Sequence, residues 1–388
     1  MPSSTTERPG PFRGAFTGTR VLVTGHSGFK GSWLCEWLLT LGAEVSGFSL
    51  PPETSPSLFE QLQLAGRIDS RFGDVRDAEV VRRLIQETQP DFVFHLAAQP
   101  LVRRSYREPL LTWQANVMGT LHVLEALRDF TKPCSVVCVT TDKCYENREW
   151  IHGYREEDAV GGFDPYSSSK AAAEIAIAAW RRSFLAQSPV QVASARAGNV
   201  IGGGDWAEDR IVPDCVRALL RGEPIRVRNP HATRPWQHVL EPLSGYLWLA
   251  ARLAQPDLAQ PDPSRSILAS AFNFGPGHDG NRNVRELVEE ILRHAPGTWI
   301  DASDPRAVHE ASLLQLSTDK AAALLRWSPV WRFPETIRNT VHWYQAVAKS
   351  PDPGTPAQLT RDQIAAYTQR AGELGLPWAA DPQHGTPH

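Results

Sequence analysis

Apolar positions along this chain fall into two rhythms. Short β-branched runs, beginning with Arg20-Val-Leu-Val-Thr24, alternate with segments in which apolar residues recur every three to four positions. The runs predict strands over Arg20–Thr24, Glu44–Ser49, Asp91–Ala98, Ser135–Thr141 and Gln191–Arg196. The longer period predicts helices over Trp33–Leu41, closed by Gly42, over Ala78–Thr88 with Asp77 as N-cap, over Leu111–Arg128, and from Tyr166 to about Ala186. Strand-helix alternation of this kind places parallel strands in one sheet with helices on both faces.

After Asn199 the texture changes. Gly202-Gly203-Gly204 and scattered prolines precede shorter helices at Val212–Arg221, Leu243–Leu253 and Val284–His294. The expected division is a mobile tail over 1–15, an α/β domain over 16–198, a smaller mixed α/β domain over 199–345 with segments returning to the first sheet, and an extension over 346–388. Residues beyond about 374 are rich in Pro, Gly and polar side chains and are expected to be mobile. No internal repeat interrupts this reading.

Composition narrows the function classes. The 388 residues are 41% hydrophobic and 21% charged, with a formal net charge of -3, so neither nucleic acid nor an anionic membrane is an expected partner. No apolar run reaches the roughly 20 residues that span a bilayer, and the start lacks the apolar core of a secretory signal, which leads us to expect a cytoplasmic protein. Five cysteines lack paired spacing. Cys134 and Cys138 lie on one predicted strand, roughly 13 Å apart and too far for a disulfide. The twelve histidines form no H-E-x-x-H or comparable set, and no metal is expected.

The first strand runs into Thr24-Gly25-His26-Ser27-Gly28-Phe29-Lys30-Gly31, at the opening of the first helix. Glycines at that place permit a tight turn and let backbone amides approach a pyrophosphate, the hallmark of a Rossmann-type doubly wound fold. The spacing G-x-x-G-x-x-G resembles the extended branch of the short-chain dehydrogenase/reductase superfamily. That resemblance implies cofactor contacts from Gly25, Ser27, Gly28, Phe29 and Gly31, from Asp74 and Val75 after the third strand, and from Leu96, Ala97, Ala98 and Gln99. The second strand ends in Phe48-Ser49-Leu50 without the carboxylate that usually holds the adenosine ribose, and no arginine waits there for a 2′-phosphate. NAD is the expected cofactor, with Ser49 as ribose partner. Lys30 is either a pyrophosphate ligand or a solvated first-turn lysine.

Tyr166 and Lys170 are four residues apart and share one helix face. Lowering a phenol by about 3 pKa units takes roughly 4 kcal/mol, which a nearby ammonium and an oxidised nicotinamide can jointly supply. The pair reads as the base that deprotonates a carbinol, with Lys170 also holding the cofactor ribose. Thr141 stands where the superfamily places a hydroxyl that bonds the reacting oxygen. Asp142 and Lys143 exceed what a plain oxidation needs. An adjacent acid and base imply a second proton transfer: removal of the C5 proton beside a new C4 ketone while the C6 hydroxyl leaves as water.

Thr141-Asp142-Lys143-Cys144-Tyr145-Glu146-Asn147-Arg148-Glu149-Trp150 resembles the nucleotide-sugar 4,6-dehydratases that act on CDP-glucose, as do Gly153–Asp158, Gly202–Trp206 and Arg234–Glu241. The resemblance covers about Phe16 to Tyr344. It implies conversion of CDP-D-glucose to CDP-4-keto-6-deoxy-D-glucose, with Asp142 as acid at C6 and Lys143 as either the C5 base or an ammonium that stabilises the enolate. It further implies diphosphate contacts from Asn199, Arg210 and Arg234, and a homodimer built on a four-helix bundle. The competing readings are a related dehydratase acting on GDP-mannose or dTDP-glucose, a CDP-sugar epimerase, and an NAD-binding regulatory protein without turnover.

Overall fold

The computed structural model describes residues 10–254, 267–303 and 313–379. Seven parallel strands form its main sheet: β1 (Arg20–Thr24), β2 (Glu44–Ser49), β3 (Asp69–Phe72), β4 (Phe92–His95), β5 (Cys134–Val139), β6 (Val190–Ala197) and β7 (Ala271–Phe274). Their spatial order is β7-β6-β5-β4-β1-β2-β3. The order reverses at β1 and β4, and the crevice beyond that switch point is where a doubly wound sheet binds its ligand.

Alternate residues of each strand feed two cores. Val21, Val23, Phe92, Phe94, Val137 and Val139 pack on one face against α1 (Phe29–Thr40), whereas Leu22, Val93, Val136 and Cys138 pack on the other. That second face is covered by α2 (Ala78–Thr88), by α3 and by α4 (Pro165–Ser183). Helix α3 runs from Pro109–Trp113 through a π turn, Gln114–Met118, into Gly119–Ala126. Beyond the first six strands come α5 (Ile211–Arg221), α6 (Leu240–Ala254), α7 (Val284–His294), α8 (Phe333–Lys349) and α9 (Thr355–Glu373). Almost every residue of α6 is buried, including Glu241, whose carboxylate accepts from the amides of Val330 and Trp331. Strand β7 follows α6 and rejoins the main sheet beside β6.

Two expectations need correction. The helix expected from Trp33 starts at Phe29, because Gly28, whose side chain can neither cap nor obstruct it, opens the first turn. The ends of the described chain are not loose. Phe12 is fully buried and stacks on Trp378 at 5.0 Å, while Trp37 and Tyr367 close the same cluster. Proline and glycine around these aromatics masked them in the sequence; 1–9 and 380–388 lie outside the described residues.

Candidate active site

The glycine loop leaves β1 with Gly25 at φ +79°, a conformation other residues rarely adopt. A side chain on Gly25 would meet Ala97 N at 2.8 Å, and one on Gly31 would meet the Gly25 carbonyl oxygen at 2.0 Å. Gly28 is exposed and supplies no side-chain cap, so the first amides of α1 face open space. A Cβ there would lie 3.4 Å from the Gly25 carbonyl oxygen, and these amides form a cradle. An anionic pyrophosphate fits it.

Around the loop, serines take the place of the missing carboxylate. Ser49 Oγ donates to Ser27 Oγ at 2.8 Å, Ser27 Oγ donates to the Leu50 carbonyl at 2.7 Å, and His26 Nδ1 lies 3.0 Å from Ser49 Oγ. The other ring nitrogen of His26 meets Ser70 Oγ at 2.8 Å, and burial pushes the imidazole down to about 4. His26 therefore stays neutral and ties β1, β2 and β3 together. Gly47 is the sequence trace of that arrangement, because a Cβ there would fall 2.4 Å from the His26 ring.

On the neighbouring strand end, Ala97 N donates to Thr24 Oγ1 at 3.2 Å and Gln99 N donates to Asn116 Oδ1 at 2.8 Å. Asn116 also donates to Ser169 Oγ at 2.9 Å, linking the Leu96-Ala97-Ala98-Gln99 stretch to α4. Asn116 sits in the π turn of α3, a local irregularity that often marks functional positions. Its role was invisible in the amphipathic pattern. Asp74 is half-buried and holds Arg76, and the Val75 carbonyl accepts from His122 at 2.8 Å.

Five expected catalytic residues converge at the ends of β5 and α4. Thr141 caps a short 3-10 turn, Asp142–Cys144, and its Oγ1 accepts from Lys143 N at 3.3 Å. Thr141 Oγ1 donates to Asp142 Oδ1 at 3.0 Å, and Asp142 lies within the electrostatic reach of the Tyr166 phenol. Asp142 is 2% exposed, and its Oδ2 has no hydrogen-bond partner among the described residues. Burial pushes its carboxyl above the usual range, against the opposing fields of Lys143, Arg234 and Lys30. Burial likewise pushes Tyr166 up to about 12, and Lys170 down to about 8 while Lys170 Nζ donates to the Val139 carbonyl at 3.3 Å.

Lys30 departs from the solvated reading. It is half-buried, and burial, then Arg210 and Lys170, lower it to about 7 while Asp142 opposes them. Behind the cluster, Glu174 accepts from Thr140 Oγ1 at 2.5 Å, Ser194 Oγ at 2.8 Å and Arg196 Nη2 at 2.8 Å. Burial alone would raise this carboxylate, but Arg196 and those bonds hold it below its ordinary value. The network clamps the strand end that carries Thr141. Alternating apolarity gave no sign of it, since Glu174 reads as one polar residue in an alanine-rich helix.

A model of the family described as GDP-mannose 4,6 dehydratase matches residues 22–340. The CDP-glucose 4,6-dehydratase of Salmonella typhimurium is 45% identical over 342 residues, spanning 86% of this chain and 93% of that protein. The chain belongs to this family. Its members here are nucleotide-sugar 4,6-dehydratases of the extended short-chain dehydrogenase/reductase branch, as the sequence resemblance implied. Two solved structures share the fold. The dTDP-glucose 4,6-dehydratase of Bacillus anthracis in complex with NAD has a TM-score of 0.69 at 21% identity, covering 84% of this chain and 97% of that one. The UDP-glucose 4-epimerase of Thermus thermophilus in complex with NAD has a TM-score of 0.68 at 25% identity, covering 84% and 99%.

For a dehydratase of this family, the three residues expected at the diphosphate are differently placed. Arg210 begins α5, pairs with Asp205 at 3.0 Å and lies within electrostatic reach of Tyr166. Arg234 is buried within the field of Asp142, and its Nη1 donates to the Thr233 carbonyl at 2.9 Å. Asn199 is half-buried beside Gly198 and accepts from Gln237 N at 3.3 Å through its carbonyl. Two supporting residues were not anticipated. Asp205 holds Arg210, and Tyr344 of α8 donates to the Asp205 carbonyl at 2.6 Å, fixing the Gly202–Asp205 turn from behind. Among the described residues no group of His, Cys, Asp and Glu could hold a metal ion.

Proposed function

We propose that this chain is an NAD-dependent CDP-glucose 4,6-dehydratase, converting CDP-D-glucose to CDP-4-keto-6-deoxy-D-glucose and water in deoxysugar biosynthesis in the cytoplasm. The observation that carries the reading is the convergence of two proton-transfer sets, Tyr166 with Lys170 and Asp142 with Lys143, at the end of β5, where buried Asp142 lies within the electrostatic reach of Tyr166. An epimerase has no use for the second set. The 45% identity to a named CDP-glucose 4,6-dehydratase supports the base and the sugar.

Bound NAD supplies an acceptor for the C4 hydride and later its donor to C6. Gly25, Ser27, Gly28, Phe29, Lys30 and Gly31 would hold its pyrophosphate, and Ser49, Asp74 and Val75 its adenosine. Leu96, Ala97, Ala98 and Gln99 would lie beside the cofactor. Tyr166, as phenolate, takes the O4 proton, and Lys170 favours that ionisation by its charge. Asp142, its carboxyl raised above the usual range by burial, presents its free Oδ2 to the departing C6 hydroxyl. Lys143 acts at C5. Arg210 and Arg234, with Asn199, hold the diphosphate, so Arg210 exchanges Asp205 for substrate oxygens.

We further propose a homodimer through α3 and α4. Leu110 is 78% exposed and Ile175 60% exposed, with Trp113 and Phe184 also open on these two packed helices. A second copy presenting the same stripe completes a four-helix bundle, as the family resemblance implies.

The test is incubation with NAD and a panel of nucleotide-hexoses, following loss of water by mass spectrometry. CDP-glucose is expected to turn over fastest. Isomerisation without loss of mass, or preference for a dTDP- or GDP-hexose, would overturn the assignment.

A further inference from the structure

The oxidation set and the elimination set are mounted on different supports. Under the dehydratase reading, on which this inference rests, both act in turn on one sugar. Tyr166 and Lys170 are fixed from α4: Asp164 Oδ1 accepts from the amides of Tyr166 and Ser167, each at 3.0 Å, Asn116 donates to Ser169, and Lys170 Nζ donates to the Val139 carbonyl. Asp142 and Lys143 ride instead on the short turn Asp142–Cys144. Asp142 Oδ1 accepts from Thr141, which caps the same turn, and Oδ2 has no hydrogen-bond partner among the described residues. The reach of the acid is therefore set by where the turn stands. The residue that leaves the turn is Tyr145.

The Tyr145 hydroxyl is buried, accepts from Arg196 Nη1 at 2.8 Å and donates to Asn273 Oδ1 at 2.8 Å. Arg196 of β6 and Asn273 of β7 are register partners, so a phenol arriving from the end of β5 is tied to the next two strands of the sheet at once. Its ring stacks on Tyr154 at 5.2 Å, and the Arg196 guanidinium lies 4.9 Å from its centre. Both partners are themselves anchored: Arg196 donates to the Glu156 carbonyl at 3.0 Å and to Glu174 at 2.8 Å, and Asn273 Nδ2 donates to the carbonyls of Tyr154 at 2.9 Å and Ser317 at 3.0 Å. A phenol has one hydrogen to donate, and this one is given to Asn273, so none is left for a substrate. Burial pushes the phenol well above its ordinary value, which keeps it a donor and not a base. We propose that Tyr145 is the positioning residue of the elimination step: its hydroxyl fixes where the turn bearing Asp142 and Lys143 stands over the sugar, while C4 oxidation does not depend on it. A misplacement of about 1 Å can cost a reaction about 100-fold, so an oxygen that touches no reacting atom can still govern loss of water.

The test separates the two steps. Tyr145→Phe keeps the ring and the Arg196–Glu174 pair but removes both hydroxyl bonds. In the NAD holoenzyme mixed with CDP-glucose, stopped-flow absorbance should show reduced cofactor forming within about threefold of the wild-type rate and then accumulating. Mass spectrometry should find kcat for loss of water lowered about tenfold or more, with KM changed less than about twofold. A merely structural role would lower oxidation and dehydration by one common factor, with no reduced cofactor accumulating. That outcome, or an unchanged kcat, would overturn the proposal. Asn273→Ala removes the same bond from its other end and should split the steps in the same way, which keeps the proposal open to refutation if Tyr145→Phe fails to fold; equal loss of both steps in Asn273→Ala counts against it as fully. A wild type that dehydrates no nucleotide-hexose would instead overturn the functional reading, whereas a wild type that dehydrates CDP-glucose beside an unsplit Tyr145→Phe overturns the role of Tyr145 alone.

Discussion

Asp142 and Lys143 are neighbours in sequence but not in circumstance. The carboxylic acid is buried with one oxygen bonded and one free, whereas Lys143 is half-buried on the same turn. This division predicts separable losses. Lys143→Met should retain C4 oxidation, visible as accumulating reduced cofactor, yet lose solvent-deuterium incorporation at C5 and slow dehydration by about 100-fold or more. Wild-type exchange at C5 in that variant would remove Lys143 from the mechanism. Gly198 sets the room in front of the acid: a Cβ there would fall 2.9 Å from Asp142 Oδ2 and 2.8 Å from the Pro235 ring. Gly198→Ala should therefore lower kcat for dehydration at least tenfold, together with a lower melting temperature as the Pro235 ring is displaced. An unaltered kcat would mean that Oδ2 does not face the substrate.

At the scale of elements, α3 and α4 carry the proposed interface. Ile175→Asp places a charge at the centre of the apolar stripe and should convert a dimer to a monomer in size-exclusion chromatography with light scattering; an unchanged mass would exclude this face. The same elements mark how far the sequence could be read. The helix Ala78–Thr88 and its Asp77 cap follow from local rules, because an N-cap acts through its own neighbours. Strand ends were harder: apolar periodicity carried Asp91–Ala98 and Ser135–Thr141 as single strands, while pairing stops at His95 and Val139 and releases the following residues into the site. Tyr166, Lys170 and the Asp142-Lys143 pair were legible because their chemistry needs close spacing. Asn116, Glu174 and Asp205 were not, because each acts through a partner that no sequence pattern ties to it, such as Gln99 for Asn116 or Arg196 for Glu174.

The molecule as a whole has a built-in sensitivity to acid. Burial holds His26 at about 4 and His95 and His238 at about 3, well below the ordinary value of 6.5. The folded protein keeps these rings neutral while the unfolded chain protonates them below about pH 6.5. The unfolded state then binds more protons, so stability present above pH 6.5 is lost as pH falls from there toward 4 and 3. Each ring contributes on the order of 2 kcal/mol between pH 7 and pH 5. Together they are a large share of the roughly 5–15 kcal/mol that typically holds a protein folded. Denaturant titrations at pH 7, 6 and 5 should record a steep decline; a flat profile would show that these histidines can be protonated in place.

The stacking of Phe12 on Trp378 bears on how the chain can be rewired. The two ends of the described chain meet in one aromatic cluster, so the backbone is nearly a closed ring. A circular permutant that joins these ends by a flexible linker and opens at the exposed turn after α5, between Gly222 and Glu223, should fold and keep turnover. Removal of residues 1–15, harmless to a loose tail, should instead uncover Trp378 and lower the melting temperature. Cut and joined forms of one sequence would then reveal whether the order in which its segments are synthesised matters to the fold.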